Sequence, residues 1–226
     1  MQDRVNPLKA IDLFQDLDPQ QLGRLVDVSQ KRELKRRQTL YFPGDPADTL
    51  FAVLYGKVKV SRLSQDGKEV GLWIVGPGNT LGELALVHPG PRDTFAETLE
   101  DTTVLILPIG EIAALMRTDP GFTFRVARLI GQRLRDVEDR VEDLAHRGVP
   151  SRLARVLLRL AQRYGRSEAN GILVSLSLGH QDLANQIGST RETTTLALNA
   201  FKRQGWIEIA PRRLLIKDLG PLQALA

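Results

Sequence analysis

His180-Gln-Asp-Leu-Ala-Asn-Gln-Ile-Gly-Ser-Thr-Arg-Glu-Thr-Thr-Thr-Leu-Ala-Leu-Asn-Ala-Phe-Lys-Arg203 is the most constrained segment of this 226-residue chain. Ala184 is small enough to let two helices cross closely, Leu183 and Ile187 point inward from a first helix, and Gly188 supplies a left-handed turn residue. Thr194, Ala197, Leu198 and Phe201 then give a second helix its buried side. The pattern is that of a helix-turn-helix. Ser189 followed three residues later by Glu192 is a capping-box signature, so the second helix is predicted to begin there and to present Arg191, Glu192 and Thr195 near its N-terminus. In such motifs those residues meet base edges in the major groove.

The charge around this segment agrees with a polyanionic partner. Residues 150–226 carry 11 Lys and Arg against 5 Asp and Glu, whereas residues 1–149 carry 20 against 22, so the C-terminal third holds +6 and the remainder −2. The overall balance, 42% hydrophobic and 26% charged, is that of a globular chain and excludes a disordered polyelectrolyte. No run approaches eighteen apolar residues, since Val104–Ile109 is cut by Pro108, and the N-terminus lacks the apolar stretch of a signal peptide, so the expectation is a cytoplasmic protein without a membrane span. With no cysteine, disulfides, thiolate zinc sites and the usual iron–sulfur clusters are excluded. His88, His146 and His180 are too few and too scattered for a metal site and read as surface residues.

Working back along the chain, residues 39–109 read as short strands in an all-β barrel or jelly roll: Thr39–Phe42, Leu50–Tyr55, Lys57–Ser61, Val70–Val75 and Thr102–Leu107, with Asp66-Gly67 as a hairpin signal. Leu13, Phe14, Leu17, Leu22, Leu25 and Val26 have helical spacing ahead of the barrel, and the basic run Lys31–Arg37 reads as a solvated face. After Asp119-Pro120 the pattern turns helical for nearly thirty residues. Ala127, Ile130, Leu134, Val137, Val141 and Leu144 follow at alternating steps of three and four, a heptad seam that either packs on the barrel or pairs with a second copy. Gly148-Val-Pro150 breaks this helix. A new one runs from Arg152 to Tyr164 with Arg152, Arg155, Arg159 and Arg163 on one side; Gly165–Gly171 reads as a polar loop and Ile172–Leu176 as a strand. The domain boundaries expected are 1–118 for the barrel, 119–147 for the long helix and 148–226 for the C-terminal domain.

Taken in order and spacing, Gly44-Asp-Pro-Ala-Asp-Thr-Leu50, Gly82-Glu-Leu-Ala-Leu86, Pro91-Arg92, Leu99-Glu-Asp-Thr102, the seam helix and Gly188-Ser-Thr-Arg-Glu-Thr193 resemble the Crp/Fnr transcription regulators over nearly the whole chain. The resemblance implies an α+β architecture: an N-terminal double-stranded β-helix like cyclic-nucleotide-binding domains, a dimerisation helix and a winged helix-turn-helix. It implies a homodimer on two-fold symmetric double-stranded DNA, with half-sites about 34 Å apart and orientation set through the Gly148 hinge. By it, Arg191 pairs with guanine, Glu192 accepts from a cytosine amino group, and Leu196 stands where relatives often carry a base-contacting basic residue. Ser189, Thr193, Lys202, Arg203 and the wing arginines Arg212 and Arg213 are the expected phosphate contacts. Activation through RNA polymerase is the family habit.

In relatives that sense cyclic AMP, a Gly-Glu pair grips the ribose and an Arg-Ser pair the cyclic phosphate. Here Gly82, Glu83 and Arg92 match, Asp93 replaces the serine, Val137 and Glu138 replace a hydroxyl pair on the helix, and Arg133 neighbours the pocket. The resemblance thus points to cAMP or a related cyclic nucleotide, with an effector-independent regulator as the alternative and a regulatory subunit of an enzyme as the more remote one. An enzyme is not expected. A metal-dependent barrel enzyme needs clustered histidines, and the barrel region holds only His88.

Overall fold

Alternation along strand β3 (Thr49–Tyr55) sorts two cores in the N-terminal half. The computed structural model describes residues 7–175, 178–210 and 213–226. In it Leu50 and Ala52 join a helical layer with Phe14, Leu22, Ile112, Phe122 and Val126, while Phe51 and Val53 enter a barrel interior with Tyr41, Val58, Val60, Val75, Leu81 and Val104. A strand buried on both faces reads as an unbroken apolar run, as here. Each fully buried Leu or Phe contributes about 1.5–3 kcal/mol.

Two four-stranded sheets make the barrel. One has the order β1 (Gln30–Leu34), β8 (Thr102–Pro108), β3, β6 (Thr80–Leu81); the other has β2 (Thr39–Tyr41), β7 (Phe95–Thr98), β4 (Val58–Leu63), β5 (Glu69–Val75). Antiparallel registers such as Leu50↔Leu107 and Val60↔Ala96 fix the jelly roll. The basic run at residues 31–37 supplies most of β1: residues 30–33 are exposed, as a solvated face requires, while backbone pairing to β8 and the buried Leu34 make it a strand.

Helix α1 (Pro19–Val28) is capped reciprocally: Asp18 Oδ1 accepts from the Gln20 and Gln21 amides at 2.8 Å, and Gln21 Oε1 accepts from the Asp18 amide at 3.1 Å. Helix α2 (Ile109–Thr118) leads into α3 (Pro120–His146), 27 residues long. Asp119 opens α3, its Oδ1 accepting from the Phe122 amide at 2.8 Å. Phe122 stacks on Phe14 with ring centroids 6.0 Å apart. No helix among the described residues is long and apolar enough to cross a membrane.

The chain divides into two units, Met1–Asp66 with Leu72–Val137, and Gly67–Gly71 with Glu138–Ala226. In the second, α4 (Val149–Tyr164) buries Leu153, Val156, Leu157, Leu160 and Ala161. A sheet follows with order β11 (Ile207–Ala210), β12 (Arg213–Ile216), β10 (Gly171–Val174), β9 (Gly165–Glu168). The expected polar loop at 165–171 is therefore corrected: most of it is a strand, paired Ile172↔Ser167. Gly-Arg-Ser-Glu has no apolar alternation to signal one, and it is the backbone pairing to β10 that makes it a strand. Leu176, the end of the predicted strand, and Pro211 and Arg212, the wing tip, lie outside the described residues.

Candidate functional site

Helices α5 (His180–Ile187) and α6 (Arg191–Arg203) form the helix-turn-helix. Gly188 ends α5 in the left-handed region at φ 58°, and the Ser189 amide returns to the Ala184 carbonyl at 3.0 Å. The start of α6 differs from the sequence expectation by one residue. Thr190, not Ser189, is the N-cap: its backbone is extended and its Oγ1 accepts from the Thr193 amide at 3.2 Å, so the residue three positions on is Thr193 and Glu192 has no part in a capping box. Glu192 instead stands in the first turn, where its charge suits the helix dipole.

Arg191, Glu192 and Leu196 are exposed, Leu196 by 69%, while Thr194, Ala197, Leu198 and Phe201 are buried. Thr195 is half-buried: its hydroxyl donates to the Arg191 carbonyl at 2.7 Å and lies 2.9 Å from His180 Nδ1. His180, read from sequence as a surface residue, is thereby a partly buried partner of the recognition helix. Lys202, Arg203 and Arg213 are exposed, Thr193 is exposed with its hydroxyl 3.0 Å from that of Thr190, and Ser189 is half-buried in the turn. These groups are cations and hydroxyls, which is the chemistry of phosphate contact.

Behind the turn lies a cluster that periodicity did not flag. The carboxylate of Asp143, 5% exposed, sits 3.2 Å from Arg147 Nε, 3.0 Å from Arg155 Nε and 3.9 Å from Arg159 Nη1. Next to it Arg140 donates to the Asn185 carbonyl at 3.1 Å and to that of Gln186, capping the C-terminus of α5. Burial, together with the like charges of Arg159 and Arg152, pushes the Arg140 pKa down to about 10, so it remains a cation at neutral pH. Two arginines of the α4 stripe, Arg155 and Arg159, are thus drawn to one acid, while Arg163 is exposed.

In the barrel, a cavity of about 260 Å³ is lined by Gly82, Glu83, Arg92, Asp93, Arg133 and Val137, together with Arg62, Leu72, Trp73, Leu84, His88 and Ile130. Glu83 is 4% exposed; Arg133 Nε donates to its Oε1 at 2.9 Å while Oε2 is buried without a partner. Arg133 also donates to the Thr80 carbonyl at 3.1 Å and lies over the Trp73 ring. Arg92, 6% exposed, donates to the Thr49 carbonyl and hydroxyl and toward the Gly82 carbonyl, with its guanidinium 4.5 Å from the Tyr41 ring centroid. Burial lowers its pKa from the usual guanidinium value.

Asp93 pairs with Arg62, at 3.1 Å, while Arg92 is turned inward onto backbone carbonyls. One expectation for this cavity is corrected. Glu138 is exposed and absent from the cavity wall: one step beyond Val137 rotates it about 100° around the helix, off the face that carries Ile130, Arg133 and Val137. Arg62 and Trp73 escaped sequence reading because nothing in a strand pattern says which of its residues will border a cavity.

Comparison with known proteins agrees with both halves. Residues 31–119 match the cyclic nucleotide-binding domain and residues 151–225 the Crp-like helix-turn-helix domain. The chain is 32% identical over 211 residues to the CRP-like cAMP-activated global transcriptional regulator of Mycobacterium tuberculosis, covering 93% of this chain and 94% of the relative. It is 33% identical over 184 residues to a global nitrogen regulator of Nostoc, covering 80% and 82%. Among solved structures, a CRP-family transcriptional regulator of Thermus thermophilus superposes with a TM-score of 0.73 at 31% identity, covering 86% of this chain and 96% of that one.

Proposed function

The chain belongs to the Crp/Fnr family of transcription regulators, DNA-binding proteins and not enzymes, and on that premise we propose that two copies pair along the Ala127–Leu144 stripe and read a two-fold symmetric promoter. The uncovered stripe carries this reading. On α3, Leu134, Val141 and Leu144 are 58%, 61% and 43% exposed, a line of apolar side chains with heptad spacing that a second copy of the same helix would cover. Ala127 is exposed and Val137 36% exposed on the same line, while Ile130 is half-buried against the helical core. In such a dimer Arg191, Glu192 and Leu196 of each copy read base edges; Ser189, Thr193, Lys202, Arg203, Arg212 and Arg213 hold phosphates.

The protein acts in the cytoplasm as an activator that engages RNA polymerase, and its barrel takes a cyclic nucleotide. What supports the ligand is chemistry: a buried carboxylate oxygen of Glu83 without a donor, suited to a sugar hydroxyl, and a buried guanidinium, Arg92, without a carboxylate partner, suited to a phosphodiester. The match of residues 31–119 and the cAMP-activated relative point the same way. Calorimetric titration with cAMP, with Arg92→Ala as control, and a gel shift on promoter fragments across a salt series test the reading. Heat lost in the control, a steep salt slope and tighter DNA binding with cAMP are expected. No heat with unchanged DNA affinity removes the nucleotide, and a flat salt response removes the DNA interface.

A further inference from the structure

Resting on that cyclic-nucleotide reading, the charges in the cavity wall go one step further. Three guanidiniums and two carboxylates line it: Arg62, Arg92, Arg133, Glu83 and Asp93. Glu83 is matched by Arg133 at 2.9 Å and Asp93 by Arg62 at 3.1 Å. Arg92 meets only neutral acceptors and the faces of Tyr41 and Phe51, and its Nε is buried without a partner. Asp48, Glu83 and Asp45 act on it electrostatically; of these three only Glu83 lines the cavity, and its charge is matched by Arg133. The wall therefore carries one uncompensated positive charge.

We propose that Arg62 is a specificity-determining residue: by holding Asp93 it cancels the carboxylate that follows Arg92 in the chain, and so fits the cavity to a monoanionic ligand of the phosphodiester type. Without Arg62 the cavity wall is neutral, and an anion seated on Arg92 meets an unscreened carboxylate. Without the Asp93 charge the wall carries two positive charges, and the same anion is held more tightly. Arg62 and Asp93 are 63% and 48% exposed, so their ion pair contributes little to the fold and its removal reports on the ligand. This signal was not legible from the position of Asp93 alone, which reads as a carboxylate placed against a phosphate.

The test is calorimetric titration with cAMP of the full-length wild type, Arg62→Gln, Asp93→Asn and the double variant. A unit charge removed within a ligand's length of the phosphate changes affinity by about tenfold at the dielectric of a partly open cavity. Arg62→Gln is expected to weaken cAMP by about that factor and Asp93→Asn to tighten it by a similar one. The double variant, with the wild-type balance restored, is expected to return to within about twofold of wild type. Adenosine, which lacks the phosphate, should distinguish none of the four. Wild type that binds cAMP while both single variants bind it equally overturns the proposal and leaves the cyclic-nucleotide reading standing. A silent wild type with a binding Asp93→Asn overturns the proposal, since the native charge balance then fails to admit the monoanion. Wild type and Asp93→Asn both silent overturn the reading and the proposal together.

Discussion

Gly82 holds φ at +90°, and a Cβ there would stand 2.6 Å from Arg92 Nη1 and 3.1 Å from the Thr49 carbonyl oxygen. Both the backbone and the space call for glycine. Gly82→Ala is therefore expected to lower stability by about 1–3 kcal/mol, read as a shift in urea midpoint, and to push Arg92 off Thr49. An unchanged midpoint would mean that the loop relaxes without strain. On the recognition helix, Arg191→Ala is expected to cost roughly 1–3 kcal/mol on the specific site and to relax one base position, whereas Arg213→Ala should weaken specific and random DNA alike. Competition gel shifts with single-base-pair operator variants separate the two, and equal losses on specific and random DNA for Arg191→Ala would make that residue a phosphate contact.

At the scale of elements, two acids decide how α3 begins and how its far end is tied. Asp119 accepts the Phe122 amide, which with help from Gln21 and Arg125 holds its carboxyl below the ordinary carboxylate value of 3.8. A pKa lowered by folding contributes stability that is complete above the unfolded value and is lost as pH falls through the folded one. Asp119→Asn keeps a cap but not the titration, so its stability should fall less steeply than wild type below about pH 4 in acid unfolding monitored by circular dichroism. Asp143→Asn removes the charge that Arg147, Arg155 and Arg159 share. Because those arginines are 29–39% exposed, a loss of about 1–3 kcal/mol is expected, less than for a fully buried pair. Retained stability in chemical denaturation would show that solvent already screens the cluster.

These elements also show what the amino-acid order conveys. β3 was legible as a continuous apolar run bounded by turn residues, α3 by its apolar steps of three and four, and the helix-turn-helix by the inward set Leu183, Ile187, Leu198 and Phe201. Gly-Arg-Ser-Glu at 165–168 was not, since its strand exists through backbone pairing that no side chain announces. The Ser189 and Thr190 choice turned on one residue of backbone geometry, with a hydroxyl available at both positions. In the cavity, Gly82, Glu83 and Arg92 could be placed by resemblance, but the pairing of Asp93 with Arg62, 31 residues away, depends on how β4 and the loop before β7 meet in space.

For the whole molecule, the stripe on α3 makes the sharpest demand. Leu134 at 58% and Val141 at 61% exposure are too apolar to favour water and too regular to be scattered surface residues. Across a two-fold axis each would meet its own counterpart or near neighbour, so a charge introduced once in the sequence appears twice in the interface. Leu134→Glu with Val141→Glu is expected to yield a monomer by sedimentation equilibrium, with helical content and unfolding midpoint close to wild type, because neither side chain belongs to a buried core of the single chain. Binding to a promoter with two half-sites should then fall by about 10²–10⁴-fold, the effective-concentration gain that joining two readers provides, while binding to a single half-site changes little. A double variant that stays dimeric would move the interface off α3. One that becomes monomeric yet keeps full affinity would show that a single recognition helix with its wing suffices for the site.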